Sequence, residues 1–327
     1  MAYSQDPPYT VKVELTEGCQ LYCGMCGLQG IRKGPGGPYK FLDPNLANRV
    51  ARLIAEAGWK SKIEFTLRGE PLTNPDASKI IEIFRKWLPD THLMVTSNGL
   101  PLLRKPGVHG NLDALFGAGL NILAMDCYEA SKKAEAQVRT YTKVEVSDYP
   151  GGRSPYRKVK SSEKYIILIE DFEKAALSGD TIGTKHVNNH CGAGMEPLKE
   201  PLQKKCARPF REMIIRYDGR IALCCNSWRD RYQCGRIDDY ETLTAAWNNE
   251  YLMAARRKLY HADRNFGICK GCNETTYRNG LLPDRMGKLK LKKPGLRDAE
   301  AINRAMSKGP ATEPVLRPWE KSIDDAF

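Results

Sequence analysis

The stretch Val11-Lys12-Val13-Glu14-Leu15-Thr16-Glu17-Gly18-Cys19-Gln20-Leu21-Tyr22-Cys23-Gly24-Met25-Cys26 decides how the rest of this chain is read. Val11–Leu15 alternates apolar and polar residues, the period-2 pattern of a strand with one buried face. Three cysteines follow at once, spaced Cys-x3-Cys-x2-Cys, in the loop expected after that strand. Three thiolates on one tight loop can hold three irons of a [4Fe–4S] cluster and leave the fourth iron without a protein ligand. A structural zinc site competes with this reading. Zinc takes four closed ligands, however, and completing them here requires a distant residue such as His92.

The strand-then-chemistry arrangement repeats along the chain. Asp43-Pro44 reads as an N-cap with proline at the first helical position. Leu46, Val50, Leu53, Ile54 and Ala57 then recur at helical spacing until Gly58. Ile63–Leu67 is the next predicted strand, ending at Gly69-Glu70-Pro71. Pro75–Leu88 is a second helix, and His92–Thr96 a third strand stopped by Asn98-Gly99. Leu112–Leu115 begins another helix, and Asn121–Met125 and Tyr165–Ile169 are further strands. Alternating strands and helices predict right-handed βαβ units, hence an α/β fold with a parallel sheet. Chemical residues at strand C-terminal ends fit a barrel or partial TIM-like barrel, whose upper loops build the site.

After about residue 186 the texture changes. Met213–Arg216, Tyr217-Asp218-Gly219 and Arg220–Leu223 spell a β-hairpin turning on Asp-Gly. Thr242–Tyr260 reads as helical, and Cys269-x2-Cys272 follows. The expected division is a core over 1–185, a small β-hairpin plus helix domain over 186–280, and a basic linker and tail over 281–327. Gly151–Lys164 reads as an exposed basic connection. Six of the thirteen residues from Arg285 to Arg297 are basic and none is acidic.

Eleven cysteines in 327 residues, most of them clustered, point to metal ligation or catalysis in a reducing compartment. Cys206, Cys224, Cys269 and Cys272 can close a four-thiolate site, either a cluster or zinc. Cys224 and Cys225 are adjacent, and neighbouring side chains on a strand point to opposite faces. One of the two is expected to ligate, and spacing favours Cys224. Cys225 is then a buried small residue or a thiol that hands hydrogen to a substrate radical. Cys127, Cys191 and Cys234 are read as buried free thiols. No run approaches the roughly 20 apolar residues that span a bilayer, and no signal-peptide pattern opens the chain, so a cytoplasmic protein without membrane contact is expected. The net charge of +12 leans towards an anionic partner, a phosphorylated metabolite or nucleic acid, against the plainer reading of a solvated basic surface.

The cysteine triplet in its strand-then-loop setting resembles the radical SAM superfamily. The resemblance implies a (β/α)6 partial barrel and a [4Fe–4S] cluster on Cys19, Cys23 and Cys26. The open iron of that cluster binds S-adenosylmethionine (SAM). An external one-electron reductant, flavodoxin- or ferredoxin-like, is implied as partner. Arg68-Gly69-Glu70-Pro71 is similar to the family's Gly-Gly-Glu-Pro motif, with arginine for the first glycine, and implies contact of Gly69, Glu70 and Pro71 with the methionine ammonium group. Thr96-Ser97-Asn98-Gly99 resembles the family's Thr-Asn-Gly ending, bringing Ser97 to the cofactor. On the fourth strand Ala124 stands where many relatives have serine, and Asp126 is the substitute. Met25 replaces the aromatic residue that relatives often place near the adenine.

The run from Cys206 through Cys224-Cys225 and Cys234-Gly235-Arg236-Ile237 to Cys269-Lys270-Gly271-Cys272 looks like the C-terminal extension of these enzymes. The fuller version, SPASM, holds two auxiliary clusters. This chain is closer to the truncated twitch type, which implies one auxiliary [4Fe–4S] cluster on Cys206, Cys224, Cys269 and Cys272. The ligand spacing resembles that of a radical SAM alcohol oxidase, 2-deoxy-scyllo-inosamine dehydrogenase. The implied chemistry is hydrogen abstraction from an unactivated carbon of a small-molecule or nucleotide-type substrate, ending in oxidation or epimerisation. A base in nucleic acid or a ribosomal peptide is the alternative substrate; the ten residues before the first strand leave no room for a leader-binding domain, which counts against the peptide. The competing class is a non-catalytic zinc protein that binds nucleic acid, and it leaves Gly69-Glu70-Pro71 unexplained.

Overall fold

The computed structural model describes residues 6–32, 36–149, 159–169, 188–274 and 291–307. Most of the connection 151–164, the basic residues 285–290 and the end of the chain, 308–327, lie outside the described residues.

The alternating stretch forms β1, Thr10–Val13, and the helical run after Asp43 forms α1, Pro44–Glu56. Asp43 caps that helix, its carboxylate accepting from the Asn45 backbone N–H at 2.8 Å. There follow β4 (Lys62–Phe65), α2 (Ala77–Trp87), β5 (Leu93–Ser97), α3 (Val108–Gly117), β6 (Ile122–Asp126), α4 (Lys132–Arg139), β7 (Glu145–Tyr149) and β8 (Tyr165–Ile169). Between β1 and α1, β2 (Thr16–Cys19) and β3 (Gly36–Phe41) form a small antiparallel ribbon. The hairpin is β9 (Glu212–Ile215) and β10 (Arg220–Ala222), extended by β11 (Gln233–Arg236).

The other nine strands share one sheet, in the order β11-β10-β9-β1-β4-β5-β6-β8-β7. Neighbours from β9 to β7 are parallel, and β10 and β11 are antiparallel additions. The sheet has two ends and does not close, as a partial barrel requires. The hairpin is not a separate layer: β9 pairs with β1 in register, Val11 opposite Met213.

Residue alternation sorts the sheet's two faces. Val11, Val13, Ile63, Phe65, Val95, Leu123 and Ile166 enter the main core against the helices. The opposite, concave face is charged on one side, where Lys12, Lys62, Glu64 and Glu212 pair. On the other side it is apolar, with Met94, Ile122, Ala124 and Ile167.

Two elements differ from the sequence reading. The helix expected over Thr242–Tyr260 is two, Leu243–Trp247 and Glu250–Tyr260. Asn249 separates them: its side chain accepts from Leu252 N–H and donates to the Ala246 and Cys234 carbonyls, starting a new helix. Within the mixed-charge stretch read as linker and tail, Leu296–Ser307 is a helix. Its charges pair with the helix before it, Arg257 with Asp298 and Arg304 with Glu250 at 2.8 Å, while Ala301, Ile302 and Ala305 are buried.

Candidate functional site

The chemical residues gather at the C-terminal ends of the parallel strands. Cys19 ends β2, and a Cys26 N–H to Cys23 carbonyl bond of 3.0 Å closes the turn that carries the other two thiols. All three cysteines are half-buried. The loop is clamped from β4: Gly18 N–H donates to the Arg68 carbonyl at 3.3 Å and Glu70 N–H to the Gly18 carbonyl at 2.9 Å. Only glycine fits this approach, since a Cβ on Gly69 would lie 2.4 Å from the Gly18 oxygen.

Donors already point at the first thiol. Cys19 Sγ accepts from Leu21 N–H at 3.3 Å and from the Asn98 amide at 3.5 Å. Arg32 holds the Cys19 and Leu21 carbonyls. Tyr128 lies close enough to Asp126 and the three thiols that, after burial, their charge pushes its hydroxyl up. Burial pushes the Cys19 thiol up to about 11, so metal binding here must displace a proton. Three thiols on one turn with N–H donors on sulfur fit a cluster held by three thiolates. His92 cannot complete a zinc site with them. It precedes β5 at the other end of the strand, and its Nδ1 accepts from Val159 N–H.

Glu70 follows the clamp and is almost wholly buried. Its Oε1 accepts from Leu72 N–H at 3.0 Å and Ser97 Oγ at 2.8 Å, and its Oε2 from Asn98 N–H at 2.7 Å. Burial nevertheless pushes its carboxyl up to about 7. Asp126, at the end of β6, is pushed to about 7 by burial and then by the charge of Glu70. A buried and a half-buried carboxylate that repel each other form a place where a ligand cation, such as an ammonium group, relieves both. Ser97 orients Glu70 and also accepts from Gly99 N–H at 3.0 Å. Pro71 is buried and opens a short 3-10 turn, and Met25 is buried beside Cys26. Asn98 was not singled out from sequence, although it lies in the quoted Ser97-Asn98-Gly99 ending; it serves both Cys19 and Glu70.

Arg68, standing where the family motif has glycine, turns away from the cysteines into a buried ion network. It meets Glu14 at 2.8 Å, Glu17 at 2.5 Å and Asp230 at 2.9 Å. Arg216 joins Glu14 at 3.4 Å and Asp230 at 3.2 Å, and Arg220 joins Asp230 at 3.1 Å. Three guanidinium groups thus face three carboxylates, and the network ties the cysteine loop to the hairpin.

The second cysteine group converges as its spacing predicts. Cys206, Cys224, Cys269 and Cys272 line one cavity, joined by Arg208, Arg264 and Glu274. Cys225 is not among the lining residues. Its sulfur accepts from Arg208 Nη1 at 3.0 Å, its N–H donates to Glu212 at 3.2 Å, and it lies near Lys12 on the concave side. Burial pushes its thiol up to about 12. The two neighbours are therefore separated, but not by strand alternation: β10 ends at Ala222, and the turn that follows it carries Cys224 into the cavity lining and Cys225 outside it. Among the described residues no three Cys, His, Asp or Glu side chains form a ready-made single-ion site. A four-iron cluster is larger than an ion, so four thiols spread around a cavity with two guanidinium groups beside them suit it better.

The family model described as the Radical SAM superfamily matches residues 13–176, half of the chain. The chain belongs to the radical SAM superfamily. The SPASM model, an iron–sulfur cluster-binding domain, matches residues 206–273. This radical SAM enzyme accordingly takes a [4Fe–4S] cluster and SAM in its core and auxiliary iron–sulfur in its C-terminal domain. The fold is similar to that of BtrN in complex with AdoMet and 2-DOIA, with a TM-score of 0.64 at 16% identity over 86% of this chain and 98% of that one. The chain is 34% identical over 114 residues to molybdenum cofactor biosynthesis protein 1 of Dictyostelium discoideum, 35% of this chain and 16% of that protein. It is 32% identical over 96 residues to the GTP 3',8-cyclase of Pectobacterium atrosepticum, 29% of each. The chain thus spans less than a third of either relative. Among the described residues no helix is long and apolar enough to cross a membrane.

Proposed function

We propose that this radical SAM enzyme abstracts hydrogen from an unactivated carbon of a polar small-molecule or nucleotide-type substrate and oxidises it. Cys19, Cys23 and Cys26 hold the SAM cluster, and Cys206, Cys224, Cys269 and Cys272 hold one auxiliary [4Fe–4S] cluster. When bound, cluster and SAM supply a 5′-deoxyadenosyl radical after one electron arrives from an external flavodoxin- or ferredoxin-like reductant. Glu70 and Asp126 take the methionine ammonium, with Ser97 fixing the Glu70 carboxylate and Gly69 and Pro71 shaping the turn. Met25 packs on the adenine side.

The observation that carries the oxidation reading is a shared wall. Arg208 lines the auxiliary cavity and also donates to Cys225 and pairs with Glu212 on the concave face at 3.7 Å. A substrate over the charged half of that face, beside Lys12 and Glu212, is separated from the auxiliary site by little more than this side chain. Loss of a hydrogen atom, then of one proton and one electron, converts a carbinol or amine carbon to the carbonyl or imine. The +12 net charge, the partial likeness to a GTP 3',8-cyclase and the 2-DOIA of the BtrN complex all favour a polar substrate. Anaerobic turnover with aminocyclitols, nucleotides and DNA, scored for 5′-deoxyadenosine and product mass, tests this. A product lighter by two hydrogens supports oxidation; one of unchanged mass overturns it.

One observation favours epimerisation as the second reading. The Cys225 thiol faces the concave side, where it can return hydrogen to a substrate radical.

A further inference from the structure

Five cysteines, rather than four, line the auxiliary cavity. The fifth is Cys191. It sits in Asn188-Asn189-His190-Cys191-Gly192, the segment upstream of Cys206. It faces the same cavity as Cys272.

The backbone is built to put it there. His190, Cys191 and Gly192 have φ of 50°, 56° and 86°, three consecutive residues in the left-handed region, two of them not glycine. Such a run persists only when its surroundings over-determine it. Here they do. The Asn189 side chain accepts from Cys191 N–H at 3.0 Å and donates to the Gly271 carbonyl at 2.8 Å, and Asn189 N–H donates to the Asn273 side chain at 2.9 Å. The strained turn is therefore stitched to the Cys269–Cys272 knuckle itself. Its far end leans on the first cysteine loop, where Ala193 packs with Leu28 and a Cβ on Gly194 would lie 2.4 Å from the Met25 carbonyl.

We propose that Cys191 is an alternative ligand of the auxiliary cluster, exchanging with Cys272 at one iron. This rests on the reading that the cavity holds that cluster. In the exchange Cys191 gives its proton to the departing Cys272 thiolate, and no oxidation state changes. The exchangeable corner lies on the segment that also touches the SAM-cluster loop.

The test uses the full chain, reconstituted anaerobically, with Cys19, Cys23 and Cys26 replaced by alanine so that only auxiliary iron is counted. Adding Cys272→Ala or Cys191→Ala alone leaves about four irons per chain, with an altered EPR signal for Cys272→Ala. Adding both leaves three thiolates and no ligand for the fourth iron, so bound iron falls below that of either single variant. Alkylation supplies a readout independent of total iron. In Cys272→Ala holoprotein Cys191 is protected from iodoacetamide until the cluster is chelated. If Cys272→Ala alone loses iron as completely as the double variant, or if Cys191 alkylates equally fast with and without cluster, the exchange is overturned. Failure of the underlying reading looks different: Cys206→Ala and Cys224→Ala would then leave the iron content untouched.

Discussion

Arg68→Met is the substitution whose cost the structure defines best. The guanidinium is 2% exposed and meets three carboxylates, of which Glu14 is fully buried. Burial by itself raises the Glu14 carboxyl; Arg68 and Arg216 reverse this and hold it below the ordinary range. Removing one partner of a buried pair strands the other and costs about 3–5 kcal/mol. The low end applies here, because Glu14 keeps Arg216 at 3.4 Å and Asp230 keeps Arg216 and Arg220. About 3 kcal/mol in a chain of this size lowers the melting temperature by about 4 °C. Methionine fills most of the space, so the loss is one of charge and not of volume.

Thermal unfolding of the reconstituted holoprotein at pH 7.5 measures it, and a double-mutant cycle isolates the pair. Glu14→Gln with Arg68→Met removes the stranded charge along with its partner and recovers about 1–2 kcal/mol over Arg68→Met alone. If Arg68→Met costs less than about 1 kcal/mol, the value of an exposed pair, the network is not the buried tie described above. A double variant less stable than Arg68→Met would show that Glu14 is not stranded by the loss of Arg68.

Anaerobically reconstituted protein should bind about eight irons and eight sulfides, and replacing Cys19, Cys23 and Cys26 by alanine should leave about four and abolish SAM cleavage; bound zinc without sulfide would sink both cluster assignments. Glu70 carries a pH signature. Its carboxyl lies near 7 in the SAM-free fold against an ordinary 4.5, so the folded chain keeps a proton that the unfolded chain has released. Stability therefore falls as pH rises from about 4.5 to about 7 and stays lowered above that. Glu70→Gln should raise the melting temperature of SAM-free protein more at pH 8 than at pH 5, and an equal shift at both refutes the assignment. Bound ammonium favours the ionised carboxylate, so calorimetric SAM affinity should weaken as pH drops below about 7. Cys225→Ala should keep both clusters and, under oxidation, full turnover, with no solvent deuterium in the product. A wild-type product carrying one deuterium, lost with Cys225→Ala, would replace oxidation by epimerisation.

What sequence reveals here follows from where each signal is stored. The strands around Val11 and Ile63 were legible by apolar–polar alternation, and those around Val95 and Leu123 as short apolar runs buried on both faces. The hairpin was legible through Asp218-Gly219. The edge strand Glu145–Tyr149 was missed because an edge has no second neighbour and need not bury an apolar face; its residues are half-exposed. The cysteine loop and Glu70 were legible because their ligand spacing is local. Arg68 registered only as a departure from a motif, since its partners Glu14, Glu17 and Asp230 are brought to it by tertiary structure. The convergence of Cys191 on Cys272 was hidden for the same reason, being fixed by a left-handed turn and a side-chain amide with no periodic trace.

These non-local ties bear directly on the chemistry. Because β9 pairs with β1, the hairpin carrying Cys224 is an extension of the same sheet that carries the Cys19 loop. The Arg68 network crosses that junction with three ion pairs to the loop side and the hairpin side together. Trp228, on the hairpin side, stacks so closely on Gly27 that a Cβ there would lie 2.5 Å from the indole. Sheet continuity, buried charge and ring packing each oppose sliding of one cysteine group past the other. A substrate held between the two groups therefore meets them at a separation set by the fold. On the oxidation reading proposed above, that fixed separation is what would let the auxiliary site take the electron from a radical formed beside the SAM site.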